Sequence, residues 1–428
     1  MKNIYFNQMN SMRHLDSTSI MRCLCNTRQI VFEVTERCNL KCHYCGYGSL
    51  YSVTDNRTND DLSYEKVIAF LDYMKSLWKS EYNDSANRII CISFYGGEPL
   101  LNMALVQRII TYIEANLKDV GRIFCYSMTT NAILLNKYAD YLVEKNFQLL
   151  FSLDGDEYGS SYRVFPSGKP AYHSIVDCIN EFRNKYPEFY EKNVKFNAVL
   201  HNRNAIKKIY DFFSANFDKI PKISELNTMG IRVEKEDEFL GMFQNVTEAF
   251  FESENYTEME RKMQFDSPTY KTASLYLLYY SDFKYDNYNE LLYGHGVISK
   301  LPTGTCLPFS KKVFITVAGE ILPCERITHQ YTLGWIKEQE VKLDFEEIAN
   351  KYNSFYARLE PICSKCYGKK GCTQCMFFLH NLDSTSNPIE CNGYMNEQEF
   401  HLYKDAQLKF FARNPTYYAD IMKNLKFR

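Results

Sequence analysis

Five short apolar runs punctuate the first half of the chain, at 29–34, 89–95, 123–129, 148–153 and 194–200. Longer amphipathic segments follow them, near 63–79, 101–117, 134–145, 171–185 and 204–216. In 63–79 the apolar residues Val67, Phe70, Leu71, Met74 and Leu77 recur at helical spacing, the mark of a helix with one buried stripe. This alternation constrains the fold more than any other feature, because neighbouring parallel strands must be joined by crossover helices. Five or six such units predict an α/β fold, a parallel sheet with helices outside, curled into a barrel or partial barrel.

The loop after the first run carries the chemistry. It reads Thr35-Glu36-Arg37-Cys38-Asn39-Leu40-Lys41-Cys42-His43-Tyr44-Cys45, with cysteines spaced C-x3-C-x2-C. Three thiolates on one tight loop can hold three irons of a cubane [4Fe–4S] cluster. The fourth iron stays open to a small molecule, which points to catalysis rather than electron storage. A zinc site is the alternative reading. It calls for a fourth ligand, and within the loop His43 is the candidate.

Length and composition bound the rest. At 428 residues the chain suits two or three domains at roughly 150 residues each. Its 50 basic and 52 acidic side chains nearly cancel, so no general attraction to nucleic acid or to an anionic membrane is expected. The first nineteen residues are polar and lack an apolar core segment. No run approaches the ~18 apolar residues of a membrane span. A cytoplasmic protein is expected. In a reducing compartment its fifteen cysteines read as metal ligands or buried thiols rather than disulfides.

From about 231 to 300 the periodicity weakens, with acidic residues at Glu234–Glu238 and aromatics crowding 269–293. From 301 the texture turns to Gly, Pro and Cys. Seven cysteines follow, as Cys306-x12-Gly319-x4-Cys324, then Cys363-x2-Cys366-x5-Cys372-x2-Cys375, then Cys391. Segments of this kind bury little apolar surface and are commonly held by metal. Two zinc ribbons are the plainer reading. The stretch after 394 reads as helix. The implied organisation is an N-terminal segment at 1–27, a core domain at 28–230, a helical bridge at 231–300, a cysteine-rich domain at 301–395 and a helical segment at 396–428.

Taken together these motifs resemble the radical S-adenosylmethionine (SAM) enzymes with a SPASM extension. Cys38, Cys42 and Cys45, with Tyr44 as the aromatic, match that family's cluster loop. Gly96-Gly97-Glu98-Pro99 resembles its GGEP motif, placed to meet the SAM amino group. Thr129-Thr130-Asn131 resembles a T-N-G turn, with Ala132 in place of the usual Gly. The resemblance implies further SAM contacts from Ser152 and Asp154, from Arg163 toward the carboxylate, and from Leu200 beside Val199 against adenine. The implied fold is a partial (β/α)6 TIM-like barrel followed by a SPASM domain with two auxiliary clusters. Cys363, Cys366, Cys372 and Cys391 would hold the distal one. Cys306, Cys324 and Cys375 would hold the nearer one, which lacks an eighth cysteine that some members carry; His295 is a candidate filler. The last cysteine pair is x2 apart rather than x3.

The family relationship implies three [4Fe–4S] clusters, SAM, and a one-electron reductant of the flavodoxin or ferredoxin type. It implies a peptide or protein substrate, oxidised after hydrogen abstraction. One reading is cross-linking of a ribosomally made peptide through thioether or C–C bonds, with a separate protein for leader recognition. The other is formylglycine formation by an anaerobic sulfatase-maturing enzyme. Those enzymes place an Asp after the cysteine that matches Cys324; here Glu325 stands there as the candidate base. A catalytically silent Fe–S scaffold or electron carrier is a third reading. Cys91 and Cys125, inside apolar runs, are expected as buried thiols.

Overall fold

The computed structural model describes residues 14–52, 57–254, 256–263, 267–280, 302–384 and 386–424. The chain divides into two compact units. The larger comprises Ile20–Met259 and Leu307–Asp344; the smaller comprises Met1–Ser19, Glu260–Cys306 and Phe345–Arg428.

The larger unit is built on one ten-stranded sheet. Strands β1 (Gln29–Thr35), β2 (Ile89–Gly96), β3 (Ile123–Thr130), β4 (Gln148–Ser152), β5 (Val194–Val199) and β6 (Lys222–Ser224) lie side by side in chain order. Each pairs in parallel with the next. When every strand steps the same way through right-handed crossovers, all the helices fall on one face. The burial pattern agrees. Ile90, Ile92 and Phe94 of β2, and Leu149 and Phe151 of β4, are fully buried on the helical face. The opposite face is more polar and more open, with Cys91 and Tyr95 of β2 and Cys125 and Ser127 of β3 half-buried.

Beyond β1 the sheet continues with β7 (Val313–Ile315), again parallel, and then the antiparallel β8 (Glu320–Leu322), β9 (Gly334–Lys337) and β10 (Glu340–Leu343). Its edges are β6 and β10, so the parallel part is an open barrel wall. The five expected strands and their helices are all present. Helix 64–78 starts at Ser63, whose hydroxyl caps the Lys66 amide. It buries Val67, Phe70, Leu71, Met74 and Trp78. Leu77 is only half-buried, because Trp78 takes the last place in the stripe and donates from Nε1 to the Cys25 carbonyl at 3.1 Å.

In the smaller unit, helix Pro268–Tyr280 packs Tyr270, Ala273, Tyr276 and Leu277 on Tyr417 and Ile421. A nineteen-residue helix, Phe345–Cys363, buries Tyr352 edge-on to Phe377 at 5.8 Å. The C-terminal stretch is two helices, Glu397–Arg413 and Pro415–Asn424. The break falls at Asn414, which the following proline keeps out of the helical region. Among the described residues no helix is long and apolar enough to cross a membrane.

Candidate functional site

In a barrel wall of this kind the loops after the strands converge at one end. The loop after β1 holds Cys38, Cys42 and Cys45, and three backbone seams fix it. The Gly97 amide donates to Thr35 O and the Glu98 amide to Arg37 O, both at 2.9 Å. On the other flank the Lys41 amide donates to Val164 O at 2.7 Å and the His43 amide to Tyr162 O at 3.1 Å. Behind it, the Glu36 amide donates to Asp60 O at 2.9 Å, and Arg37 grips Asp61 with two bonds of 3.2 and 2.6 Å.

The first seam explains the paired glycines. A Cβ on Gly96 would stand 2.2 Å from Thr35 O, and one on Gly97 would stand 2.2 Å from Arg37 O. Gly96 also has φ +138°, a region that side chains avoid. Two strand ends can meet this closely only with no side chain between them.

Glu98 is 1% exposed and turns away from solvent to tie the β2 and β3 ends together. Its carboxylate accepts from the Leu100 amide at 3.1 Å, the Thr130 hydroxyl at 2.7 Å and the Asn131 amide at 2.7 Å. Burial raises its pKa and the three donors oppose that, leaving it at about 7. Asn131 then reaches the cysteine loop, donating to Asn39 Oδ1 at 2.8 Å and toward Cys38 Sγ at 3.8 Å. Ala132, where the resembling turn has Gly, keeps a left-handed φ of +66° and is fully buried.

After β4, Asp154 is wholly buried. Both its oxygens accept from Arg163, Nε at 2.9 Å and Nη2 at 2.8 Å. It also accepts from the Val199 amide at 2.9 Å and from the Tyr44 hydroxyl. Burial alone would raise its pKa; the charge and hydrogen bonds of Arg163, with help from His201, bring it down to about 2. His201, absent from the sequence reading, is fully buried. Its ring stacks on Tyr44 at 5.4 Å, its Nδ1 accepts from the Arg203 amide at 3.2 Å, and its Nε2 lies 3.9 Å from Asp154. Its only sequence signal is its place just after the β5 end. Ser152 is half-buried, whereas Leu200 is fully buried and donates its amide to Ser224 O at 2.9 Å. At this strand end Val199 is the more open of the two.

The donor set fits a thiolate-held cluster. All three loop cysteines are free. Burial pushes Cys38 up to about 11 and Cys42 to about 12, and raises Cys45 as well. Each of Cys38 and Cys42 is raised further by the charge of Cys45, so the three sulfurs lie within electrostatic reach. Among the described residues no three Cys, His, Asp or Glu side chains meet at a single-ion site. A cubane gives each thiolate its own iron and needs no such meeting point.

The smaller unit brings together four of the C-terminal cysteines. Cys363 is raised to about 12, first by burial and then by Cys372, Cys391 and Cys366. Local bonds hold this knot. The Met395 amide donates to Cys366 Sγ at 3.4 Å, and Tyr280 bridges Gly368 O at 2.7 Å and the Gly371 amide at 2.9 Å. Gly304 abuts the Cys372 carbonyl, where a Cβ would stand 2.2 Å away. Cys375 feels the charge of Cys306 in the same unit. Cys324 belongs to the larger unit, just after β8. There Glu325 accepts from Lys312 Nζ at 2.9 and 3.0 Å. Burial would raise the Glu325 carboxyl, but the Lys312 charge and bonds hold it below its usual value. His295 lies outside the described residues.

Part of the chain matches a known family. Residues 32–215 match the model of the radical SAM superfamily. A cysteine-type anaerobic sulfatase-maturating enzyme of Clostridium perfringens is 24% identical over 396 residues, covering 88% of this chain and 96% of its own length. An uncharacterized protein of Methanocaldococcus jannaschii is 32% identical over 145 residues, 34% of this chain and 44% of that protein. The radical SAM cyclopropyl synthase TigE of Paramaledivibacter caminithermalis is 23% identical over 223 residues, 50% of this chain and 42% of its own. Among solved structures, native anSMEcpe with bound AdoMet has a similar fold, with TM-score 0.59 and 18% identity over 90% of this chain and 99% of that one. The segment that carries the cysteine loop, the glycine pair and the Asp154–Arg163 pair, residues 32–215, is a radical SAM domain.

Proposed function

We propose that this chain is a radical SAM maturase that oxidises a residue of a peptide or protein. The observation that carries the reading is the cysteine loop at the strand ends, sewn to Gly97 and Glu98 on one side and to Tyr162 and Val164 on the other. With a cluster bound at Cys38, Cys42 and Cys45, the site would supply one electron to the SAM sulfonium and so release a 5′-deoxyadenosyl radical. The protein's own groups bind and orient. Gly96 and Gly97 let backbone stand close to a ligand at the loop. Tyr44, Asp154 and Arg163 form a rigid wall behind Cys42. Arg163 spends Nε and Nη2 on Asp154, so a SAM carboxylate would share its guanidinium rather than own it.

Two further clusters in the cysteine-rich region belong to the same proposal, on Cys363, Cys366, Cys372 and Cys391, and on Cys306, Cys324 and Cys375. An external flavodoxin- or ferredoxin-type protein would supply electrons. Glu325, kept ionised by Lys312, is the base that would take a proton from the substrate residue.

Two substrates fit this chemistry. Peptide cross-linking is favoured by the missing eighth cysteine and by Glu325 in place of Asp; a separate protein would then recognise the leader. Formylglycine formation is favoured by the near full-length match to a sulfatase-maturating enzyme. Candidate peptides of both kinds, offered to the reconstituted protein with SAM and reductant, separate them by the mass and position of the product. Cys391→Ala should still cleave SAM and make no product; unchanged product formation would remove the auxiliary clusters from the reading.

A further inference from the structure

β2 and β3 run parallel in a register that sets Cys91 beside Cys125. Adjacent strands lie about 4.8 Å apart, inside the ~4.4–6.8 Å Cα separation that a disulfide spans. Equal register turns both side chains to the same, open face of the sheet. Both thiols are free and half-buried rather than sealed in the core. Each lies close enough to act on the other's titration. Cys91 Sγ also donates to Ser127 Oγ at 3.2 Å and stands 3.5 Å from Ser93 Oγ. The two serine hydroxyls are 2.6 Å apart, and Gln29 Nε2 donates to Ser93 at 2.6 Å.

This setting suits a thiolate on Cys91. As an anion it would accept from the Ser127 hydroxyl while Ser93 donates to Ser127, with the Lys312 cation adding to the attraction. The neighbouring Cys125 thiol, with Ser127, Ser93 and Lys312, outweighs burial and brings Cys91 down to about 6, while Cys125 is raised, first by Cys91 and then by burial. One activated thiol beside one protonated thiol is the arrangement of a redox dithiol. Neither residue belongs to the ten cysteines that the cluster motifs use.

We propose that Cys91 and Cys125 form a redox-active dithiol that reacts with a peroxide-class oxidant and closes into a cross-strand disulfide. The Cys91 thiolate attacks one peroxide oxygen, the O–O bond breaks, and the leaving hydroxide takes a proton to become water. Cys91 is then a sulfenic acid. The Cys125 sulfur attacks it, the S–O bond breaks, and the Cys125 proton leaves with the hydroxyl as a second water. The two thiols are oxidised by one electron pair and the peroxide is reduced by the same pair.

The test treats the anaerobically reconstituted full chain with stoichiometric hydrogen peroxide, blocks free thiols with iodoacetamide, and maps the digest by mass. The expected result is a peptide joining Cys91 to Cys125, formed before Cys38, Cys42 and Cys45 become alkylatable through cluster loss. In Cys125→Ser, dimedone should label Cys91 as sulfenic acid; in Cys91→Ser, labelling of Cys125 should fall at least about tenfold. If the cluster cysteines are lost first while Cys91 and Cys125 are both recovered alkylated, the proposal is overturned.

Discussion

Arg163 closes a two-bond fork on Asp154, at 2.9 and 2.8 Å, and the two side chains are 7% and 0% exposed. A buried pair of this kind is costly to break from one side, because the surviving charge is left without a partner. Tyr44 donates to the same carboxylate from within the cysteine loop. The pair therefore fixes both the β4 end and the aromatic between Cys42 and Cys45.

Asp154→Asn should destabilise the larger unit by roughly 3–5 kcal/mol, measured by denaturant unfolding. The pH dependence has a definite sign. The folded-state carboxyl is depressed to about 2, so its stabilisation is fully present above the unfolded value of about 3.9 and is lost as pH falls through about 2. An Asn variant should lack that acid limb. Equal stability of the two proteins at neutral pH would rule the pair out as a structural anchor.

Gly97→Ala puts a methyl 2.2 Å from Arg37 O. The β1 and β2 ends must part, at a cost of about 3 kcal/mol, and the cysteine loop moves with them. Iron content per chain after anaerobic reconstitution should drop, with the loss confined to the iron held by the loop. Normal iron content would show that the loop does not depend on this seam.

Ala132 holds φ +66°, which costs a residue with a Cβ roughly 1–2 kcal/mol. Ala132→Gly should therefore raise stability by about 1 kcal/mol, after allowance for the greater freedom of Gly when unfolded. A lower thermal midpoint for the variant would contradict the strain argument.

Much of this was legible in the chain because it rests on strong periodicity or on fixed spacing. β1 is buried almost throughout and β2 to β5 largely alternate a buried face with a more open one, and the helices between them carry full apolar stripes. β6 to β10 are three or four residues each, too short for a period of two to register. The nineteen-residue helix 345–363 hid inside a cysteine-rich texture. At the site, residue types announced the cysteine loop and the glycine pair, but not what the partners do. Glu98 reads as a ligand group in the motif, yet its oxygens are taken up by Leu100, Thr130 and Asn131. His201 left only its place after the β5 end as a signal, since its role comes from stacking on a residue more than 150 positions away in sequence.

The central claim is that the loop of Cys38, Cys42 and Cys45 starts SAM chemistry. The most direct measurement is 5′-deoxyadenosine formed from SAM by the anaerobically reconstituted protein with dithionite. The wild-type chain should release it, and Cys42→Ala should release none above the protein-free background. No 5′-deoxyadenosine from the wild type, or equal amounts from the two proteins, would contradict the account.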